Sequence, residues 1–437
     1  MDPFGSSLLL IAALLICIML RIPIAFSFFI VSAPALYILE GPAGFTVLSD
    51  TTWKVATGYY LISIPLFILL AEVMEYSMVT KDLFVFMRAC MARLPGGLLV
   101  ASIWACAGFG AVSGVSVAAA ATVSKIVIPE LTKLKYDKPL LSGTLAAGGT
   151  LAILIPPSVP MVIFALLTDE SVGRLFAAGI LPAVLISTLF TALIIFRVYR
   201  NPNLAPEASS VSKEEIMRAL PGLCVFLLIV LVVLGGLFSG LCNINESAAL
   251  GVVVAIIAGL VFKRLTLRDA ARSFVSGAGT TSFILLIVIG ASIFAFLLTV
   301  LQFPQTVAES VLSAGLSQTT VVIAFMVVGL MLGLFIDAIS ILVLTIPIFL
   351  PIMQSMSIDP VWLCVLLVIN LEAGLITPPV GLNLYIIQGV GSSFGLQESD
   401  IIKGIGPFLL LMAFAVATLI MFPSIVTMVP NYIFGSP

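Results

Sequence analysis

Two stretches decide the fold: Gly148-Gly149-Thr150-Leu151-Ala152-Ile153-Leu154-Ile155-Pro156-Pro157-Ser158 and, 222 residues later, Asn370-Leu371-Glu372-Ala373-Gly374-Leu375-Ile376-Thr377-Pro378-Pro379-Val380-Gly381-Leu382-Asn383. Each is an apolar run stopped by a Pro-Pro pair. Such a pair removes two amide donors and drives the preceding residue out of helix. Pro156, Pro157, Pro378 and Pro379 are therefore read as two helix breaks. The surrounding composition places those breaks in lipid. Of 437 residues, 61% are apolar and only 9% charged, and the mean hydropathy is +1.27. A soluble chain would carry about a quarter charged residues. Repeated uncharged runs of about 20 residues match a bilayer's hydrocarbon thickness. The sequence predicts an all-α polytopic membrane protein surrounded by lipid. Inside lipid, broken backbone survives only where protein, water or an ion satisfies it.

The shift of 222 residues extends outward from the prolines. Ile126-Val127-Ile128-Pro129 lies on Ile348-Phe349-Leu350-Pro351, and Asp137 lies on Asp359, without a gap. Pro129 and Pro351 read as simple kinks. Just before each broken helix runs an apolar segment, 95–132 and 318–354, nearly twice as long as one span. Each is expected to be either two crossings joined by a tight turn or a re-entrant helical hairpin, and both readings return the chain to the side it left. Lys and Arg placement gives the orientation, because short cytoplasmic loops collect basic residues. With the N-terminus outside, all but Lys54, Arg174 and Lys125 of the 19 basic residues fall inside. Arg88, Arg93, Lys133, Lys135 and Lys138 flank the first hairpin, so it opens inward. The second lacks flanking cations and opens outward. The halves are thus an inverted-topology repeat, the architecture of secondary transporters that work by alternating access. The polar stretch Asn201 to Arg218 reads as the linker between halves. Met1-Asp2-Pro3-Phe4 has no basic n-region, so the first apolar run is expected to be a permanent span.

Composition also excludes chemistry. The chain has no histidine, which removes imidazole relays, His-type zinc sites and Ser-His-Asp triads; an enzyme is not expected, and no cofactor is. Six scattered cysteines read as packing residues. A net charge of −2 gives no reason to expect a nucleic-acid partner.

The polar groups near the breaks stand out. The first hairpin tip, Gly108-Phe109-Gly110-Ala111-Val112-Ser113-Gly114-Val115-Ser116, holds three glycines and two hydroxyls. The second, Gly333-Leu334-Phe335-Ile336-Asp337-Ala338-Ile339-Ser340, holds a carboxylate. The alternative reading of Ser113, Gly114 and Ser116 is small-residue helix packing. Asp337 and Glu372 are costly at membrane depth, about 3 kcal/mol by insertion scales, and mark a functional site. Hydroxyls, free carbonyls and one or two carboxylates form a hard-oxygen set suited to a weakly bound Na⁺, while half-helix N-termini offer amides to a carboxylate substrate. Glu72 and Glu75 are expected to be solvated or to pair with Arg88 or a partner subunit.

Gly110-Ala111-Val112-Ser113-Gly114-Val115-Ser116-Val117-Ala118, Ile128-Pro129-Glu130-Leu131, Tyr136-Asp137 and the two Pro-Pro stretches resemble the large membrane subunit (DctM-like, M subunit) of tripartite ATP-independent periplasmic (TRAP) transporters. The resemblance runs over essentially the whole chain, with Val115 where Ser is common and Ala152 where Gly is common. It implies an elevator-type fold of the ion-transporter superfamily. The transport elements would be 93–170 (hairpin 95–132, broken helix 139–168) and 317–392 (hairpin 318–354, broken helix 361–390). The scaffold would comprise 1–92, 171–240 with cytoplasmic linker 198–220, and 241–316, followed by a C-terminal helix in 393–437. Na⁺-driven uptake of a carboxylate such as a C4-dicarboxylate or sialic acid is implied across a bacterial inner membrane, with both termini periplasmic. So are two partners: a small four-helix membrane subunit as a separate chain, and a periplasmic substrate-binding protein. By place in the motif, Ser113, Gly114, Ser116, Gly149 and Thr150 would frame one Na⁺ site, and Asp337, Ser340, Glu372, Gly374 and Thr377 the other. Ser158 and Asn383 would meet substrate. The alternative is a stand-alone ion-coupled carboxylate permease of the same superfamily.

Overall fold

A computed structural model describes residues 3–77, 79–206, 212–378 and 381–435. It is helical almost throughout, and no strand occurs among the described residues. Six helices are long and apolar enough to cross a membrane, or up to eight if each bent pair counts as one span. The longest, Leu267–Val300, starts well before its apolar stretch because Thr266 and Asp269 form a capping box around its first turn.

Both long segments are helix pairs with tight turns. The first hairpin is Gly97–Ser113 followed by Ser116–Lys133, and the second is Gln318–Gly333 followed by Ala338–Ser355. The first turn needs Gly114, whose φ of +61° lies in the left-handed region. Each hairpin leads into a broken helix: Lys138–Leu154 with Val159–Thr168, and Pro360–Leu375 with Leu382–Gly391. The two aspartates matched by the repeat start these helices. Asp137 accepts the amide of Leu140, and Asp359 accepts the amides of Val361 and Trp362. Their agreement is capping chemistry. Pro129 and Pro351 sit inside the second legs of the hairpins.

Packing between the repeats is reciprocal. Each hairpin's leading leg packs on the first half of its own repeat's broken helix. Its second leg packs on the other repeat's helix beyond the break, Ser116–Lys133 on Leu382–Gly391 and Ala338–Ser355 on Val159–Thr168. Such an exchange is what a pseudo-two-fold axis produces. The crossings within each repeat correspond as well. A Cβ placed on Gly110 would lie 2.3 Å from the Ala152 Cα, and one on Gly374 would lie 2.9 Å from the Gly333 Cα. Ala152 and Gly374 are equivalent under the 222-residue shift. Both broken helices are enclosed by this arrangement: every residue from Leu140 to Leu154 is buried.

Three short helices lie in stretches where hydropathy predicts connections: Ala43–Ala56, Val79–Met91 and Phe303–Ser313. Their polar residues hold their hydropathy below that of a membrane span. Val79–Met91 packs between the first hairpin and Lys213–Val230. It carries Arg88, which pairs with Glu130 on the hairpin, and Asp82, which pairs with Arg264 at 3.0 Å. Glu75 pairs with Lys125 at 3.4 Å rather than with Arg88. The mid-chain linker is shorter than its polar composition indicated, because a capping box of Ser212 and Glu215 starts a helix at Lys213.

Candidate functional site

The breaks and the hairpin tips meet. Pro156 and Pro157 end the first broken helix at Leu154, and Ser158 restarts it by accepting the Met161 amide at 3.4 Å. Ser158 is fully buried. The first hairpin tip lies directly on this break: the Gly114 carbonyl accepts the Val159 amide, and a Cβ on Gly114 would lie 2.4 Å from the Pro157 carbonyl oxygen. Ser113, just before the turn, is buried, and its hydroxyl has no hydrogen-bond partner.

At the second break the helix stops at Leu375, three residues before Pro378, and restarts after Gly381, whose φ is +51°. Pro379 lies outside the described residues. The Thr377 hydroxyl donates to the Ala373 carbonyl at 2.6 Å, and the Thr377 amide donates to the Gly374 carbonyl at 3.1 Å. At the second hairpin tip, Asp337 caps the helix from Ala338 and accepts both the backbone amide and the hydroxyl of Ser340. That carboxylate is therefore engaged within its own turn. Thr150 likewise donates to a carbonyl of its own helix, Ala147, at 2.6 Å.

Four predicted residues converge across the repeats. The Asn383 side-chain amide donates to the Ser116 hydroxyl oxygen at 2.8 Å, and both residues are buried. Gly149 faces the same spot: a Cβ there would lie 2.8 Å from the Ala120 Cβ and 3.4 Å from the Asn383 amide nitrogen. Glu372 is 1% exposed, and Ser116 is the polar side chain that acts on it. Neither Glu372 oxygen has a hydrogen-bond partner, nor has the Asn383 side-chain oxygen. No ion pair among the described residues involves Glu372.

The structure thus groups residues differently from the sequence motif. The motif joined Glu372 to Asp337 and assigned Asn383 to substrate. Spatially, Glu372 and Asn383 meet Ser116 of the first hairpin, while Asp337 and Ser340 are joined to each other. Ala120 and Gly333 were not singled out as site residues, although Ala120 lies against Gly149 and Gly333 against Gly374. The small residues repeated on each leading leg and broken helix were the available signal. Asn370, quoted in the motif without a role, ties the second broken helix to its hairpin by donating to the Met326 carbonyl at 2.7 Å.

Comparison with known proteins agrees with this architecture. The family model described as "Tripartite ATP-independent periplasmic transporter, DctM component" matches residues 11–425. The C4-dicarboxylate TRAP transporter large permease protein DctM of Pseudomonas aeruginosa is 33% identical, covering 91% of this chain and 92% of that protein. The sialic acid TRAP transporter large permease protein SiaM of Vibrio cholerae is 28% identical, covering 94% and 96%. Among solved structures, the YdaH transporter of Alcanivorax borkumensis superposes with a TM-score of 0.64 at 14% identity, covering 91% of this chain and 96% of that one. MtrF of Neisseria gonorrhoeae superposes with a TM-score of 0.57 at 15% identity, covering 90% and 85%. These two likenesses concern the fold alone.

Proposed function

Because the chain belongs to the DctM component family of tripartite ATP-independent periplasmic transporters, a family of multi-pass permeases rather than enzymes, we propose that it performs Na⁺-coupled uptake of an organic anion by an elevator movement. The observation that carries this reading is the buried oxygen cluster where the repeats meet. Glu372 lies there, buried on an apolar helix, with no cationic side chain among the described residues paired to it, a placement that is expensive inside a membrane unless a cation shares it. Relatives are named for C4-dicarboxylate, sialic acid, isethionate and 2,3-diketo-L-gulonate. All four are organic anions, three of them carboxylates and isethionate a sulfonate, so a carboxylate is the substrate class we assign.

The leading legs of the hairpins have 17 and 16 residues, less than the roughly 20 needed to cross the hydrocarbon. That length supports re-entrant hairpins. The hairpins and broken helices would move together as the transport body. The remaining helices would stay with a separate small membrane subunit, and a periplasmic binding protein would deliver the solute. Half-helix N-termini at the breaks would offer amides to the substrate anion.

The test is reconstitution of the chain with its small subunit in vesicles, with the binding protein and a radiolabelled dicarboxylate outside. An inward Na⁺ gradient should drive uptake, and uptake should stop without the binding protein. Uptake by this chain alone would establish the stand-alone permease instead.

A further inference from the structure

We propose that the cavity between the end of Val79–Met91, the start of the first hairpin and the end of Val172–Arg200 binds the phosphate group of an anionic phospholipid. The cavity holds about 800 Å³, the size of a pocket that takes a small molecule rather than a bare ion. Arg88, Arg93 and Tyr136 line it, and no Asp or Glu does. The pair with Glu130 anchors Arg88 at the cavity wall, while Arg93 joins no ion pair among the described residues. Two guanidinium groups and a phenol give the cavity donors and an excess of positive charge.

The adjoining cavity is different. It shares Arg88 and holds about 410 Å³, but its basic residues are accompanied by Asp82, Glu130 and Glu215, and Asp82 is already paired with Arg264. Charge there is met within the protein. In the larger cavity it has to be met from outside.

Position in the bilayer identifies the anion. Val172–Arg200 is long and apolar enough to span a membrane, and its last turn carries Arg197 and Arg200. Phe196 and Tyr199 are exposed there, with Arg200 over the Phe196 ring at 5.7 Å. Aromatic and basic side chains at the end of a span mark the headgroup level. Tyr199 itself lines the cavity, so the mouth lies where lipid phosphates lie, and basic pockets between spans at that level recognise phospholipid headgroups. Arginine suits a phosphate because its planar fork bonds two oxygens at once.

The wall is fixed in advance. The Leu94 amide donates to the Met91 carbonyl at 3.0 Å and the Gly97 amide to the Leu94 carbonyl at 2.9 Å. Gly96, at φ +69°, packs so closely that a Cβ would lie 3.0 Å from the Val198 side chain. Leu94, Leu98 and Val198 supply an apolar side for the glycerol end of the acyl chains. A zwitterionic headgroup would bring an ammonium that finds no carboxylate in the lining, which is why the lipid is anionic. Held there, it ties Val79–Met91 to the hairpin that follows.

The test places the full chain with its small subunit in phosphatidylcholine nanodiscs and titrates in phosphatidylglycerol. The unfolding midpoint should rise and saturate, and native mass spectrometry should find phosphatidylglycerol retained on the released protein. Arg93→Gln should raise the phosphatidylglycerol fraction needed for half the stabilisation by about 10- to 100-fold, and Tyr136→Phe by about 3- to 10-fold. Tyr136→Phe keeps the comparison open if Arg93→Gln does not fold. Arg268→Gln removes an exposed charge from another basic loop and none from the cavity, and should leave the titration unchanged. Equal losses in Arg268→Gln and Arg93→Gln would reduce the effect to diffuse surface charge and overturn the site. A wild-type titration in both cavity variants would overturn it as well. Inorganic phosphate added to phosphatidylcholine nanodiscs should not reproduce the rise; if it does, the cavity takes a free anion and the lipid assignment is overturned.

Discussion

The side-chain amide of Asn383 donates to the hydroxyl oxygen of Ser116 across 267 residues of sequence, joining the second repeat's broken helix to the first repeat's hairpin. Asn383→Leu preserves approximate volume and removes the donor, leaving Ser116 buried without that partner. A buried polar group stripped of its partner costs about 1–3 kcal/mol. The unfolding midpoint of the purified protein should fall accordingly, even in choline chloride where no Na⁺ effect contributes. Asn383→Gln, which keeps the donor on a longer arm, should fall less; equal losses would reduce the bond to simple packing.

The paired helix crossings predict a graded response. At Gly110 an added methyl would lie 2.3 Å from the Ala152 Cα, whereas at Gly374 it would lie 2.9 Å from the Gly333 Cα. Both neighbours are backbone and cannot rotate away. Overpacking of this kind costs about 1–3 kcal/mol. Gly110→Ala should therefore be the more destabilising, with Gly374→Ala second and Gly389→Ala, where open space surrounds the position, nearly silent. Thermal unfolding of the three variants side by side measures the order.

The same crossings explain what could be read from the sequence. The two Pro-Pro pairs and the two Asp caps mark helix breaks and starts by local backbone chemistry, which a sequence displays directly. Doubled apolar length gave the hairpins, and their bounds fall within about two residues of the helices observed. The partners of Glu372 were not legible. The family resemblance implied a site joining Glu372 to Asp337, but Asp337 is engaged by Ser340 three residues on. The residue beside Glu372 comes instead from the other repeat. That contact depends on how the two repeats interlock, and a two-fold exchange leaves no local trace in either strand of the comparison. The helix Val79–Met91 was missed for a different reason: its charges serve ion pairs with neighbouring helices, so it resembles a loop to any reading based on hydropathy.

Tyr136 predicts a dependence on alkaline pH. It lies between the first hairpin and the first broken helix, 6% exposed. Burial pushes its phenol up to about 12, with Glu130 adding to the rise and Arg88 opposing it. A folded value above the unfolded 10.0 means the folded state holds the proton more tightly. The stability it contributes is complete below pH 10 and is lost as pH climbs toward about 12. Tyr136→Phe should flatten that part of the unfolding profile while leaving the neutral range unchanged. Chemical unfolding at about pH 9 and pH 11 would detect the difference, and identical slopes in the two proteins would assign the alkaline loss to other groups.

An elevator movement has a direct consequence for Glu75 and Lys125. Glu75 belongs to Ser63–Tyr76, outside the hairpins and broken helices, and Lys125 to the second leg of the first hairpin; they pair at 3.4 Å. Both side chains are well exposed, so the pair itself contributes about 0–1 kcal/mol and its loss alone should be tolerated. Its value is as a marker of relative position. If the hairpin travels with the transport body past a stationary Ser63–Tyr76, the two residues separate once in every cycle. In a background where the six native cysteines are replaced, Glu75→Cys with Lys125→Cys should be joined by a short bifunctional thiosulfonate reagent. The joined protein should still bind Na⁺ yet fail to transport, and reduction should restore uptake. Either single variant treated with the same reagent should transport normally. Full uptake with the two residues covalently joined would mean that the first hairpin does not move over this helix, and the moving part of the molecule would have to lie elsewhere.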